Sequence, residues 1–399
     1  MATWTTSSAA VPPADRAVDV LLVGGGVASA RCARALRRNG FDGSILLVGE
    51  EDRAPYNRPP LSKELLREDL SLELLGAEQP SWYERRSIDL LTGARVERVE
   101  PAEQVATLAG GDRIRFERLL LATGAEMRLL TIPGAEGALT LRTADDATRL
   151  RRAAIDAGAG APVVIIGGGF IGLEVASSLA SLGLRPTVVE LAPVLWGGTL
   201  GRELDGWATS RLAGAGVDLR LGARTTRIAD GAAWIEDERL DAAFVVIGVG
   251  VIPRTALAER AGLRTDDGVV VDAEQRTSHP AIWAAGDVAR IDGRARVEHW
   301  HVAREAGERA ALSMLGLAVP PQLTPWVFSE IGGSSLDMIG AAEGWDDETW
   351  LDGARTVLAY VRAGRIVGLA GIGGAIAPDA ARQLVDAGAT LSEAAAAIG

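Results

Sequence analysis

Asp19-Val20-Leu21-Leu22-Val23-Gly24-Gly25-Gly26-Val27-Ala28-Ser29 decides the fold. The short apolar run reads as a buried parallel strand. It feeds a glycine-rich turn and then an Ala/Arg-rich helix that reaches Asn39-Gly40. A second strand, Ser44-Ile45-Leu46-Leu47-Val48, ends at Gly49-Glu50. Strand, glycine turn, helix, strand, acid is the dinucleotide-binding unit. Gly24 permits the tight turn. Gly26 lets the backbone approach a pyrophosphate that sits on the helix N-terminus. Glu50 is placed to bind adenosine ribose hydroxyls. Ser29 occupies the third glycine position, which slightly loosens helix–strand packing.

The pattern recurs about 143 positions later. Pro162-Val163-Val164-Ile165-Ile166 leads into Gly167-Gly168-Gly169-Phe170-Ile171-Gly172, and the helix continues through Leu173-Glu174-Val175-Ala176. Here Gly167, Gly169 and Gly172 fill all three positions. The next strand, Pro186-Thr187-Val188-Val189, ends at Glu190, eighteen residues past Gly172. One such motif is weak evidence; two, each between a strand and a helix and each followed by an acid, are strong. Two dinucleotide sites in one chain imply a relay, most simply FAD plus a nicotinamide. Glu190 pairs with a free 2′-hydroxyl and repels a 2′-phosphate, and Leu191-Ala192-Pro193-Val194 supplies no arginine. NADH is therefore expected over NADPH, with Arg202 the basic residue that would have to fold back for NADPH.

Lys63 is the only lysine among 399 residues; the other forty basic side chains are arginine. The two are not interchangeable where geometry matters, since the ammonium is a compact point charge and the guanidinium a wide planar fork. Net charge is −12, which argues against nucleic acid as a partner. An acidic protein partner would have to dock on a local arginine patch. Cys32 is the only cysteine, so no internal disulfide and no dithiol redox pair exists. No run of eighteen apolar residues predicts a membrane span. Residues 1–16 lack the organisation of a signal peptide and read as a disordered tail. The cytoplasm is the simplest compartment. No metal site is expected.

Four segments carry a family resemblance: the turn at Gly24; Pro55-Tyr56-Asn57-Arg58-Pro59-Pro60-Leu61-Ser62-Lys63; Leu120-Leu121-Ala122-Thr123-Gly124-Ala125; and Ile282-Trp283-Ala284-Ala285-Gly286-Asp287-Val288-Ala289. With the second turn they resemble the FAD-dependent pyridine nucleotide oxidoreductases of the ferredoxin reductase type. That group includes the putidaredoxin, rhodocoxin and biphenyl-dioxygenase ferredoxin reductases, with apoptosis-inducing factor a relative. Arg-Pro-Pro-Leu-Ser-Lys is the most specific string. The resemblance implies that Arg58 contacts the FAD pyrophosphate and that Lys63 lies beside the flavin ring, where a guanidinium would intrude on the nicotinamide. It implies that Glu174, on the first turn of its helix, pairs with Lys63 at a domain interface. A plainer reading of Glu174 is an acid favoured by the helix dipole. Thr123-Gly124 marks the exit from the FAD domain, Asp287 accepts from a ribityl hydroxyl, and Trp300 packs by the flavin ring. His299 and His301 read as surface residues.

The resemblance weakens from about Pro321. Val327-Phe328-Ser329-Glu330 stands where the family has an aromatic–Trp–Ser–Asp segment, so Phe328 takes the place of the aromatic over the flavin and Glu330 that of the aspartate. Gly371-Ile372-Gly373-Gly374-Ala375-Ile376 replaces a Val-Asn-x-Pro-Arg-like turn. Short strands are predicted at Trp326–Ser329, Ser335–Ile339, Thr356–Val361 and Ile366–Leu369, and helices at Pro378–Ala387 and Leu391–Ile398. The fold class that follows is α/β: two Rossmann-like dinucleotide-binding domains, in the glutathione-reductase-like FAD/NAD(P) arrangement, plus a small C-terminal α+β domain. The FAD-binding domain is expected at 17–123 and 248–320, the NAD-binding domain at 124–247, and the interface domain at 321–399.

The expected activity is a ferredoxin–NAD(+) reductase-like one. NADH reduces FAD, and FAD reduces a [2Fe–2S] ferredoxin, or a similar acceptor protein, that serves an oxygenase or cytochrome P450. With no cysteine pair, electrons leave from the flavin itself, which takes two and releases them singly. A small-molecule acceptor, as in an NADH oxidase or quinone reductase, and an NADH-responsive redox sensor remain open. Monomer and homodimer are equally open.

Overall fold

The computed structural model describes residues 15–68, 70–340 and 344–398. Two compact units divide them, the first drawn from Met1–Asn57, Glu73–Glu126 and Ile252–Gln322, the second from Arg58–Leu72, Met127–Val251 and Leu323–Gly399. The expected three-domain division differs at two places. The C-terminal segment groups with the 127–251 segment, and Arg58–Leu72, placed inside 17–123 by the sequence, belongs to the second unit. Most of the predicted tail lies outside the described residues, but its end does not: the first strand already begins at Asp15.

In the first unit, β1 (Asp15–Val23) leads into α1 (Val27–Arg38) and β2 (Ile45–Val48). Strands β3 (Ile88–Leu91), β4 (Val96–Glu100), β5 (Val105–Leu108) and β6 (Arg113–Leu121) complete a sheet ordered β3-β2-β1-β6-β5-β4. All four residues of β2 are buried, as a strand covered on both faces requires. Strand β6 changes character along its length. Its first half alternates exposed and buried where it pairs antiparallel with β5. Leu119–Leu121 are all buried, between β1 and the parallel strand Ile282–Ala284. Cys32 lies in α1, fully buried beside Val20, Leu22 and Leu36.

In the second unit, four parallel strands run in the order Asp218–Leu221, Arg185–Glu190, Pro162–Ile166, Val245–Ile247. A three-stranded antiparallel sheet, Thr225–Ala229, Ala232–Ile235 and Glu238–Asp241, accompanies them. The C-terminal part is a five-stranded antiparallel sheet. Its order is Trp326–Ile331, Ser334–Gly340, Arg365–Ile372, Val357–Arg362, Asp347–Trp350. Three of the four predicted strands are present in longer form, and the one predicted at Thr356–Val361 runs one residue later, over Val357–Arg362. The fifth, Asp347–Trp350, carries no apolar run to signal it and is held by its pairing with Leu358–Val361. The helices Pro378–Asp386 and Leu391–Ile398 bury Ala381 and Ala394 in the same core as Ile339 and Leu369. Among the described residues no helix is long and apolar enough to cross a membrane.

Candidate active site

Parallel register brings the sites to strand ends. In the first unit Val23 pairs with Val48 and Leu121, and Leu121 with Ala284. The segments beginning at Gly24, Gly49, Ala122 and Ala285 therefore leave one carboxyl edge of the sheet side by side, the edge where doubly wound sheets bind ligands. Gly24, Gly26, Ser29, Glu50, Thr123, Gly124 and Asp287 all belong to it. The backbone knits them: Gly24 N–H donates to Val48 O (2.8 Å), Ala122 N–H to Val23 O (2.8 Å) and Ala285 N–H to Leu121 O (3.0 Å). Thr123 Oγ1 donates to Arg254 O (3.0 Å). Gly24 has φ +124°, and a Cβ there would meet Ala122 O at 2.1 Å, so the tight turn needs glycine.

The residues fit a dinucleotide. Gly26 caps α1 with no side-chain hydrogen bond, and a Cβ on it would meet nothing within 4 Å. The amides of the first turn thus have open space before them, the property of an anion site. Ser29 is fully buried with its Oγ unpartnered, a donor left over at the same turn. Glu50 is exposed and paired with Arg254 (Oε2–Nη1 2.7 Å), a neighbour the sequence reading did not assign. Trp300 opens the helix Trp300–Met314, donates its indole N–H to Asn57 Oδ1 (2.8 Å) and carries the Arg304 guanidinium over its ring (4.5 Å).

The second unit repeats the arrangement. Gly167 N–H donates to Val189 O and Gly248 N–H to Ile166 O, both at 2.8 Å. Gly169 caps the helix Phe170–Ser181 without a side-chain bond, and a Cβ on it also meets nothing within 4 Å. Gly172 is the packing glycine, since its Cβ would lie 2.1 Å from Gly167 O. The Glu190 carboxylate accepts from Gly168 N–H (2.6 Å) and Ala192 N–H (2.7 Å), which fixes an anion at the strand end.

Lys63 and Glu174 form a buried ion pair in this unit. Lys63 Nζ lies 2.7 Å from Glu174 Oε2, with the two side chains only 9% and 4% exposed. Nζ also donates to Pro59 O (3.3 Å) and lies 5.8 Å from the centre of the Phe328 ring. Two hydroxyls complete the carboxylate: Ser62 Oγ donates to Oε2 and Ser329 Oγ to Oε1 (2.7 Å). A buried charge needs such company. Both members belong to the second compact unit. Glu174 is the fifth residue of its helix, beyond the first turn where the dipole favours acids, so its place is set by Lys63 and the serines. Arg58 also belongs to this unit and donates to Arg142 O. Glu330 pairs with Arg67 and raises its pKa, the hydrogen bond first.

Ser62 and Ser329 were missed as site residues; the sequence signal marked only the helix they bond to. Glu174, Ser177, Ser178 and Ser181 recur at helical spacing along an otherwise apolar helix, and a polar stripe there marks a hydrogen-bonded seam.

The family model for pyridine nucleotide-disulphide oxidoreductases matches residues 18–307. The chain belongs to this family. Members of this group use FAD and NAD(H), and the fold and the two turns agree with that. The chain is 33% identical to a rubredoxin-NAD(+) reductase of Pseudomonas putida, over 82% of this chain and 88% of that one. It is 36% identical to the ferredoxin–NAD(+) reductase component of the anthranilate 1,2-dioxygenase system of Burkholderia cepacia, over 92% and 94%. In structure it is similar to putidaredoxin reductase in its covalent complex with putidaredoxin, with a TM-score of 0.88 and 29% identity over 93% of each chain. The chain is thus an oxidoreductase whose relatives pass electrons to ferredoxin- or rubredoxin-type proteins.

The family's disulphide name does not describe this chain. Cys32 stands alone, and burial pushes its thiol well above the usual range. Iodoacetamide should leave the native protein unlabelled with turnover intact, and should label it in denaturant. Rapid labelling of the native protein would contradict the buried, inert thiol.

Proposed function

We propose that this chain moves electrons from NADH through FAD to a [2Fe–2S] ferredoxin that serves an oxygenase or cytochrome P450. The observation that carries it is two bare glycine turns in a chain whose only cysteine is inert. FAD, when bound, accepts a hydride and gives up electrons singly. In this reading Gly24, Gly26, Ser29, Glu50, Thr123, Gly124, Asp287, Trp300 and Phe328 hold FAD, with Arg58 on its pyrophosphate. Gly167, Gly169, Gly172 and Glu190 hold NADH. Lys63, held by Glu174, presents a compact positive charge where negative charge develops, and its burial strengthens that interaction over what water would allow. The FAD-binding domain comprises 17–123 and 248–320, with NAD held by 124–247 and 321–399 as the interface domain. The sheet from Trp326 onward is the face for the acceptor. The protein works in the cytoplasm as a monomer or homodimer, without nucleic acid or membrane.

The test is reduction of cytochrome c by the FAD-loaded protein, with NADH or NADPH, and with a [2Fe–2S] ferredoxin, a rubredoxin or neither. Ferredoxin should stimulate the rate. NADH should exceed NADPH by at least roughly tenfold in kcat/KM, about 1.4 kcal/mol, because Glu190 repels a 2′-phosphate. Stimulation by rubredoxin alone overturns the [2Fe–2S] assignment. Fast reoxidation by oxygen or quinone with no gain from ferredoxin overturns the protein acceptor, and a preference for NADPH overturns the role of Glu190.

A further inference from the structure

We propose that Ser329 is a positioning residue for hydride transfer: it holds the Glu174 carboxylate so that Glu174 holds Lys63. The inference rests on the role given to Lys63 under the proposed function. Glu174 Oε2 is occupied twice, by Lys63 Nζ and by Ser62 Oγ. Oε1 has Ser329 Oγ as its side-chain donor, at 2.7 Å, and both serines are only 3% exposed. A buried carboxylate oxygen stripped of its donor turns to find another. Turning Glu174 about its terminal bond moves Oε2 as well, and with it the anchor of the ammonium.

The surrounding contacts show that this seam is held from both sides. Ser178 Oγ donates to Ser62 O (2.7 Å), fixing the chain segment that carries Lys63. Gly332 N–H donates to Ser177 Oγ (3.0 Å), fixing the turn that follows Ser329. One helix face, Glu174 with Ser177 and Ser178, therefore grips the lysine segment and the strand Trp326–Ile331 together. Ser329 is where that strand reaches the ion pair. Its neighbour Phe328 lies under Nζ, so the same two residues fix the lysine's counter-charge and its apolar contact.

Because Lys63 is the only lysine, an amine reagent reads it without interference. Reductive methylation followed by peptide mass spectrometry separates Lys63 from the N-terminal amine, and it needs neither FAD nor turnover. Ser329→Ala should raise the Lys63 methylation rate roughly tenfold, the loss of one hydrogen bond to a charged group. In the FAD-loaded protein it should slow flavin reduction at saturating NADH by about tenfold with the Kd for NADH unchanged. Ser329→Thr, which keeps the hydroxyl, should restore both. Ser62→Ala, on a different segment, should repeat the alanine result if Ser329→Ala folds poorly. Unchanged methylation in both alanine variants overturns the proposal, as does failure of Ser329→Thr to restore either readout. Raised methylation in Ser329→Ala, with flavin reduction normal in that variant and in Lys63→Arg, overturns instead the role of Lys63 on which it rests.

Discussion

Lys63→Arg should keep the charge, the fold and the FAD content, and slow reduction of the flavin by NADH by roughly 100-fold. The ammonium fits between three fixed features: Glu174 Oε2 at 2.7 Å, Pro59 O at 3.3 Å and the Phe328 ring at 5.8 Å. At 9% exposure there is no solvent into which a longer side chain can retreat. A guanidinium is planar and wide, so pairing it with Glu174 requires displacing Ser62 Oγ from the same oxygen or pushing Phe328 aside. Either change moves the charge off the place the ammonium holds. Lys63→Met is the less informative variant. It leaves Glu174 buried without its counter-ion, which costs about 3–5 kcal/mol, and so mixes stability with chemistry. Replacing both partners, Lys63→Met with Glu174→Gln, should recover much of that stability and none of the rate. Stopped-flow absorbance of the flavin, with melting curves alongside, separates the two effects. A Lys63→Arg protein that is reduced at the wild-type rate would return Lys63 to a structural role.

That pair also marks how far the sequence could be read. Lys63 stood out by its solitude and Glu174 by its place after the second glycine turn, and the two lie in contact. The glycine turns were legible because strand, turn and helix are contiguous, so local chemistry specifies them. What escaped was non-local. Ser329 lies 155 positions from Glu174 and Ser62 lies 112, and no spacing rule links a strand serine to a helix carboxylate. The same holds for Glu203, which accepts from Trp350 Nε1 (2.7 Å) and Arg355 and so ties the helix Gly201–Gly214 to the C-terminal sheet. The Arg58–Leu72 segment was assigned by its neighbours in sequence. Its packing against the helices Phe170–Ser181 and Ala144–Ala157 puts it in the other unit.

Gly26→Ala and Gly169→Ala should each give a protein as stable as the parent, or more so, that has lost one nucleotide. Glycines in such turns serve two masters, the chain and the ligand, and the structure separates them. Gly24 and Gly172 serve the chain: a Cβ on either would lie 2.1 Å from a backbone oxygen. Alanine there should cost at least about 1–3 kcal/mol through overpacking before any ligand is considered. Gly26 and Gly169 are different. Their φ/ψ values of −100°/179° and −84°/179° are open to any residue, and their Cβ positions meet nothing within 4 Å. The chain makes no demand for glycine at either place. Alanine at such a position restricts the unfolded chain and stabilises by about 0.4–1 kcal/mol. In the bound state the added methyl occupies the space through which a pyrophosphate approaches the helix amides, so affinity should fall by roughly 100-fold, about 2.7 kcal/mol. The two variants should be specific: Gly26→Ala loses FAD, while Gly169→Ala keeps FAD and loses NADH. Melting of the apoproteins and titration with each nucleotide read both halves of the expectation. An undiminished FAD affinity in Gly26→Ala would mean that the first turn is not where the flavin nucleotide binds, since nothing else in the chain asks for glycine there.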